Sequence, residues 1–310
     1  MNKFLKYNQR APVAGDRKIS YSQFAMYSTC PKHWELAYIK GLRTFSQSIH
    51  TLFGTAFHET LQNYLTVMFE ESITKANEID INKYLADQMH SLYKESVEKM
   101  GVHFTTKREL NEFYSDGVAI LDYFKKKRST YFSPKNEELI GIEVPIYHPV
   151  NETNDKVMML GYLDIVVRDK RNGKITIIDI KTSTMGWNKY QKADKTKTSQ
   201  LVLYKKYFAD QYGFDVEKID IKYMIVKRKL IEGAMFPQKR ITEFAPAYGK
   251  PTRNALASSI QGFVDSSFKD DGEYVNRPYP SIAGKNNKNC KWCEFKDQPD
   301  LCPVASRIKE

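Results

Sequence analysis

Between residues 139 and 181 three short β-branched runs follow one another: "LIGIEVPIY" (139–147), "VMMLGYLDIVV" (157–167) and "KITIIDIK" (174–181). Turn residues bound each run, and "KRNGK" between the last two is a hairpin signal. A helical stretch, "TSQLVLYKKYFADQYG", separates them from a fourth run, "IDIKYMIVKRK" (219–229). Three strands, a helix and a strand predict an α/β chain: a central mixed β-sheet flanked by helices. Helical patterns precede the sheet. "SYSQFAMYSTCPKHWELAYIKGL" predicts a helix capped at Ser20 or Ser22, a turn at Cys30-Pro31, and a second helix closed by Gly41. Residues 55–72 predict a helix with Phe57, Leu61, Tyr64, Leu65 and Met68 on one face. Residues 107–128 predict another, with Leu110, Phe113, Tyr114, Ile120, Leu121 and Phe124.

Two of the strands carry an acid where a buried strand wants none. Asp164 interrupts "GYLDIVV" and Asp179 interrupts "ITIIDIKTS". An ionised carboxylate in a sheet core is costly unless it is paired or bound to a metal. Side chains alternate along a strand, so Asp179 and Lys181 share a face, with Ile178 and Ile180 on the other. Such a pair suits metal-assisted phosphodiester hydrolysis. Carboxylates hold Mg²⁺ or Mn²⁺ through hard oxygen ligands, the Ile180 carbonyl is a further candidate ligand, and Lys181 can stabilise charge on a phosphate. Asp164 precedes Asp179 by a hairpin's length, so the two acids can converge. His58, in "FGTAFHETL", is a candidate nitrogen ligand, better suited to Mn²⁺ than to Mg²⁺. Gln200 and Tyr204, in "QLVLY", lie one helical turn apart on one face and can line the same cleft. Glu143, on the preceding strand, is a further candidate, although a lone strand glutamate is more often structural.

Four cysteines form a second constellation. Cys290, Cys293 and Cys302 lie together in "NCKWCEFKDQPDLCP", and Cys30 lies about 260 residues upstream in "STCPKHWELAY". Four thiolates fit either a tetrahedral Zn²⁺ or an iron–sulfur cluster. His33 can replace Cys30 in a zinc site. Either centre would act as a cross-link between the chain's two ends.

The charge balance, 48 Lys+Arg against 37 Asp+Glu, gives +11. That surplus favours polyanions such as nucleic acid. The 20 Tyr and 17 Phe, many beside basic residues, suit single strands, where bases stack while cations meet phosphates. "TMGWNKYQKADKTKTSQ", with Trp187, Tyr190, Lys189, Lys192, Lys195 and Lys197, is a candidate strand guide beside the cleft. "IVKRKL" (225–230) and "YFKKKRSTYF" (123–132) read as solvated basic faces. No run of about 18 apolar residues predicts a membrane span. The N-terminal residues show no secretory pattern, so a cytoplasmic location with reduced thiols is expected. No phosphate-binding loop motif is found, so a motor activity is expected only from a partner.

"FGTAFHETL", "GYLD", "IIDIKTS" and "QLVLY" resemble, in that order, the motif series of the RecB-type branch of the PD-(D/E)XK nuclease superfamily. The opening "YSQFAMYSTCPKHWELAYIKGL" is similar to that branch's N-terminal helix. The resemblance spans residues 20–303. It implies a restriction-endonuclease-like core and a metal-dependent DNA nuclease, in which His58, Asp164 and Asp179 bind the metal, Lys181 is catalytic, and Gln200 and Tyr204 assist. One group of the branch, which includes AddB and the CRISPR-associated RecB-like exonucleases, has one cysteine before the core and three after it. By that resemblance Cys30, Cys290, Cys293 and Cys302 hold a structural 4Fe-4S cluster rather than zinc, although the Cys293–Cys302 gap is longer than that group usually shows. An exonuclease on single strands or DNA ends is implied. It is expected to act alone or with a separate helicase, recombinase, replication or CRISPR-adaptation protein; a non-catalytic or zinc-stapled DNA-binding module of a recombination or replication complex is the alternative. Residues 1–310 are then expected to form a single RecB-like nuclease domain: a mobile arm (1–18), a helical region with Cys30 and His58 (19–135), the nuclease core sheet and motif helix (136–230), and a C-terminal region with the cysteine cluster (231–310).

Overall fold

Local sequence signals set most element boundaries. The computed structural model describes residues 15–43, 45–150 and 155–309. Helix α1 (Tyr21–Thr29) starts where the Ser20 hydroxyl accepts from the Gln23 N–H. Pro31 opens α2 (Pro31–Trp34), which runs on as a π-helical turn, Glu35–Ile39. A capping box at Ser48 and Thr51 starts α3 (Ile49–Glu70). Ser72, Asp80 and Thr106 cap α4 (Ile73–Glu78), α5 (Ile81–Met100) and α6 (Lys107–Tyr131). Asn188 and Asp194 cap α7 (Lys189–Ala193) and α8 (Lys195–Tyr212), and Gly213, at φ +70°, ends α8. Pro251 lies in the first turn of α9 (Lys250–Ser267).

Among the described residues the sheet is mixed, with six strands flanked by helices, the restriction-endonuclease-like α/β arrangement. Its members are β1 (Arg17–Ile19), β2 (Glu137–Pro149), β3 (Val157–Asp169), β4 (Ile175–Ser183), β5 (Ile219–Lys227) and β6 (Ile241–Phe244). The order is β1-β3-β4-β5-β6, and β2 also pairs with β3. β3 and β4 form the expected antiparallel hairpin. β4 and β5 are parallel, joined through α8, and pair Asp179 with Tyr223 and Lys181 with Ile225. β5 and β6 are antiparallel.

The expected arm ends earlier than residue 18. Residues 1–14 lie outside the described residues, and Arg17 and Lys18 belong to β1, parallel to Val157–Met159. Ile19 is wholly buried and the Arg17 guanidinium lies 4.3 Å from the Tyr274 ring centroid, which ties the segment down.

The chain forms two compact units. Phe45–Pro145 with Tyr162–Ala247 make the first; the described residues of Gln9–Thr44, Ile146–Gly161 and Tyr248–Glu310 make the second. In the first, α3, α5 and α6 bury one apolar cluster with Ile178 and Ile180 of β4 and Met224 and Val226 of β5. Gly117 of α6 permits that close approach: a Cβ there would stand 2.6 Å from Leu85 Cδ2. Asp179 and Lys181 occupy the other face of β4. There α8 is held by the Tyr223 hydroxyl, which donates to the Lys197 and Thr198 carbonyls at 3.0 and 3.2 Å. In the second unit Trp34, fully buried, is ringed by Tyr27, Phe263, Phe268, Tyr274 and Tyr279. A short pair of strands, β7 (Ser281–Ile282) and β8 (Arg307–Ile308), brings the cysteine segment back on itself.

Candidate functional site

Three sheet-face residues converge in the first unit. The Lys181 ammonium lies 2.8 Å from Asp179 Oδ2, and Asp179 is only 4 % exposed. Asp164, one strand over, accepts the Ile180 N–H at 2.7 Å through Oδ2. The same oxygen lies 3.4 Å from His58 Nδ1. α3 carries His58 to this point because Gly54, one turn earlier, lets the helix approach β4: a Cβ there would sit 3.2 Å from the Thr182 hydroxyl. From α8, Gln200 Oε1 accepts from the Lys181 ammonium at 3.2 Å. The Gln200 amide in turn donates to the Tyr204 hydroxyl at 3.4 Å. His58, Asp164, Asp179, Lys181, Gln200 and Tyr204, singled out in the sequence, therefore form one connected set.

The electrostatics fit a cation. Burial, and then the Asp179 charge, raise Asp164 well above the usual carboxylate range. Burial also raises Asp179, against the pull of Lys181. Burial opposes the Lys181 charge, yet Asp179 and Asp164 hold its ammonium above the ordinary lysine value. Burial, then the Lys181 charge, push His58 down to about 4, although a hydrogen bond to the Ile180 carbonyl raises it. The set thus offers two carboxylates, one ammonium, a neutral imidazole and a backbone carbonyl. Hard oxygens with one imidazole form a donor set that suits Mg²⁺ or Mn²⁺.

One participant, Gln62, escaped the sequence reading. Gln62, buried, donates to Glu143 Oε1 at 2.6 Å and to the Asp164 carbonyl at 3.3 Å. It lies four residues after His58, and a buried amide among apolar neighbours was its only signal. Glu143 itself stands at φ +49°, in the left-handed region, within β2. Its side chain is exposed, and no periodicity reports such a backbone irregularity. The cleft beside the set has a volume of about 420 Å³ and is lined by His50, Thr51, Thr55, Thr182, Ser183 and Arg228, among others.

In two basic segments the packing differs from the sequence reading. Trp187 is partly buried, 5.0 Å from the Tyr223 ring and 6.2 Å from Phe244, so it packs on the sheet rather than standing free in solvent. Tyr190 is 73 % exposed. Arg228 is buried and pairs with Asp116 at 2.6 Å and Glu112 at 3.0 Å. Lys229 joins the same acids, so "IVKRKL" is a neutralised network rather than a solvated face.

The second unit gathers the cysteines. Cys30, Cys290, Cys293 and Cys302 line one small cavity, and none is in a disulfide. Cys30 Sγ accepts the Ile282 N–H at 3.3 Å, and Cys302 Sγ donates to Ser281 Oγ at 3.6 Å. Asn289 ties the segment to α1 by donating to the Thr29 carbonyl at 3.0 Å. The long gap before Cys302 folds as turns that bury Phe295 against Leu36 and Ala37. Burial raises the Cys293 thiol, and the nearby Cys30 and Cys302 add to the rise. Four convergent thiols are a donor set for a cluster or a zinc ion. His33, Cys293 and Glu294 also bring ligand atoms within 4.8 Å of one another, and His33 Nε2 lies 2.9 Å from Glu294.

Comparison with known proteins adds three findings. A sequence profile for the PD-(D/E)XK nuclease superfamily matches residues 18–302. No curated protein matches the chain. A solved structure, the crystal structure of protein VC1899 from Vibrio cholerae, aligns with 73 % of the chain at 13 % identity and a TM-score of 0.22; the chain spans 50 % of that protein's length.

Proposed function

This chain belongs to the PD-(D/E)XK nuclease superfamily, and from that premise we propose that it is a Mg²⁺- or Mn²⁺-dependent deoxyribonuclease of the RecB type. Its substrates are single strands or DNA ends. The observation that carries the reading is the convergence of Asp164, Asp179 and Lys181 beside a neutral His58 at an open cleft. Asp164, Asp179, His58 and the Ile180 carbonyl would hold the metal. When bound, the ion lowers the pKa of a water and polarises the scissile phosphate. Lys181 presents its ammonium to the phosphate and offsets charge that develops there. Gln200 fixes the direction of that ammonium, and Tyr204 supports Gln200. The Thr182 hydroxyl, on the cleft wall, would donate a hydrogen bond to a phosphate oxygen. A separate helicase, recombinase or CRISPR-adaptation protein would supply strand separation, in the cytoplasm. None of the described helices is long and apolar enough to cross a membrane. The test is cleavage of 5′- and 3′-labelled single and double strands with either metal. Loss of cutting in Asp179→Ala and Lys181→Ala supports the reading, and equal cutting by wild type and variants refutes it.

Cys30, Cys290, Cys293 and Cys302 are proposed to hold a structural 4Fe-4S cluster, supported by four free thiols around one cavity. The competing reading, a zinc site, is favoured by the His33, Cys293 and Glu294 grouping. Elemental analysis after anaerobic purification separates them: iron with sulfide supports the cluster, and zinc alone refutes it.

A further inference from the structure

A second groove lies in the nuclease unit, away from the carboxylates. It has a volume of about 640 Å³ and is lined by Lys127 and Thr130 of α6, Lys192 of α7, Lys239, and Thr242 and Glu243 of β6. Among the described residues none of the three lysines has an acidic partner. The one acid, Glu243, is taken by Lys222 at 2.6 Å. The groove thus carries three uncompensated cations. β6 ends the sheet, so its outer edge has no strand partner among the described residues. A row of rings joins this groove to the catalytic face. The Lys192 ammonium lies 5.4 Å from the Phe244 centroid, Phe244 stacks on Tyr223 at 6.4 Å, and Lys181 lies 6.0 Å from Tyr223. Two strand spacings, about 10 Å, separate β4 from β6. Two exposed rings flank the lysines in sequence: Tyr190, 73 % exposed, two residues before Lys192, and Phe236, 76 % exposed, three before Lys239.

We propose that this groove binds the phosphates of a single nucleic-acid strand that runs from the catalytic face across the edge of the sheet, with Tyr190 and Phe236 stacking its bases. Paired lysines elsewhere in the unit are quenched by i,i+3 or i,i+4 acids, as at Lys75, Lys83 and Lys99; the groove lysines are not. Cations on phosphates with exposed rings beside them are the arrangement that single strands select. The proposal deepens the nuclease reading by naming the path of the strand beyond the cut site.

The test measures binding of labelled oligo(dT) by anisotropy in chelator, across a salt series. Three phosphate contacts to a single strand contribute about 2 to the slope of log K against log salt. The variant K127Q/K192Q/K239Q is expected to lose about that much slope. K75Q/K83Q/K99Q, with the same change in net charge, is expected to keep the wild-type slope. Y190A/F236A is expected to weaken binding by about tenfold with the slope unchanged. Equal slopes for the two lysine variants, or no binding by wild type, overturn the groove. Thermal melts confirm that each variant is folded. Because the readout is binding without cleavage, a wild type that binds through the groove but never cuts retains the groove and refutes the nuclease reading instead.

Discussion

Gln200→Ala isolates a residue that acts only through another. The amide oxygen of Gln200 accepts from the Lys181 ammonium at 3.2 Å, at the long end of the useful range. A hydrogen bond to a charged group contributes about 1.5–3 kcal/mol, and the length argues for the lower part, about 1.5–2 kcal/mol. If the bond serves mainly to aim the ammonium at the reacting phosphate, that loss appears in kcat as about 10–30-fold. Lys181→Ala removes the cation itself and is expected to cost about 10²–10³-fold, as for a lost transition-state donor. Tyr204→Phe deletes only a 3.4 Å contact to Gln200 and is expected to cost about twofold or less. Steady-state cleavage of a labelled strand gives the ranking, with thermal melts as the control for folding. A Tyr204→Phe loss as large as that of Gln200→Ala would refute the relay from α8 to Lys181. So would a Gln200→Ala effect confined to KM.

Other perturbations test the packing and the cysteine unit. Gly117→Ala places a Cβ 2.6 Å from Leu85 Cδ2 and 3.0 Å from Phe53 Cε2. Overpacking by about 1–3 kcal/mol outweighs the roughly 1 kcal/mol helix gain, so denaturant melts should show net destabilisation. Gly262→Ala, on the exposed side of α9 with nothing within 4 Å, should instead stabilise by about 0.5–1 kcal/mol. Arg228→Met removes the buried partner of Asp116, leaving it to Lys229 alone, and should cost about 2 kcal/mol in the same melts. Cys30→Ala and Cys290→Ala should abolish the visible absorption of an iron–sulfur protein and lower the melting temperature. Retained colour in either variant would remove that cysteine from the ligand set.

The parts of the site legible in the sequence are those where a residue violates its own element. Asp164 and Asp179 stand out because carboxylates do not belong in buried strands, and strand alternation placed Lys181 beside Asp179. Gln200 and Tyr204 were legible from the one-turn spacing of α8. What stayed hidden depends on approach between elements distant in sequence. Gln62 reads as one polar residue on an apolar helix until β2 brings Glu143 against it. Trp187 sits in a lysine-rich segment, yet two aromatic rings offered by β5 and β6 hold it against the sheet. α9 escaped because its buried residues, Ile260, Phe263, Val264 and Ser267, crowd into its second half. α5 escaped because Ile81, Leu85 and Met89 are sparse among charged residues, so its apolar stripe is thin.

The central claim is that Asp164, Asp179 and Lys181 form a metal-dependent nuclease centre. Its most direct test is cleavage of end-labelled DNA by purified wild type and Asp179→Ala, with Mn²⁺, with Mg²⁺ and with chelator. The account predicts cutting by wild type only with a divalent metal, and none by the variant at any metal concentration. Cutting in chelator, or equal cutting by both proteins, would contradict it.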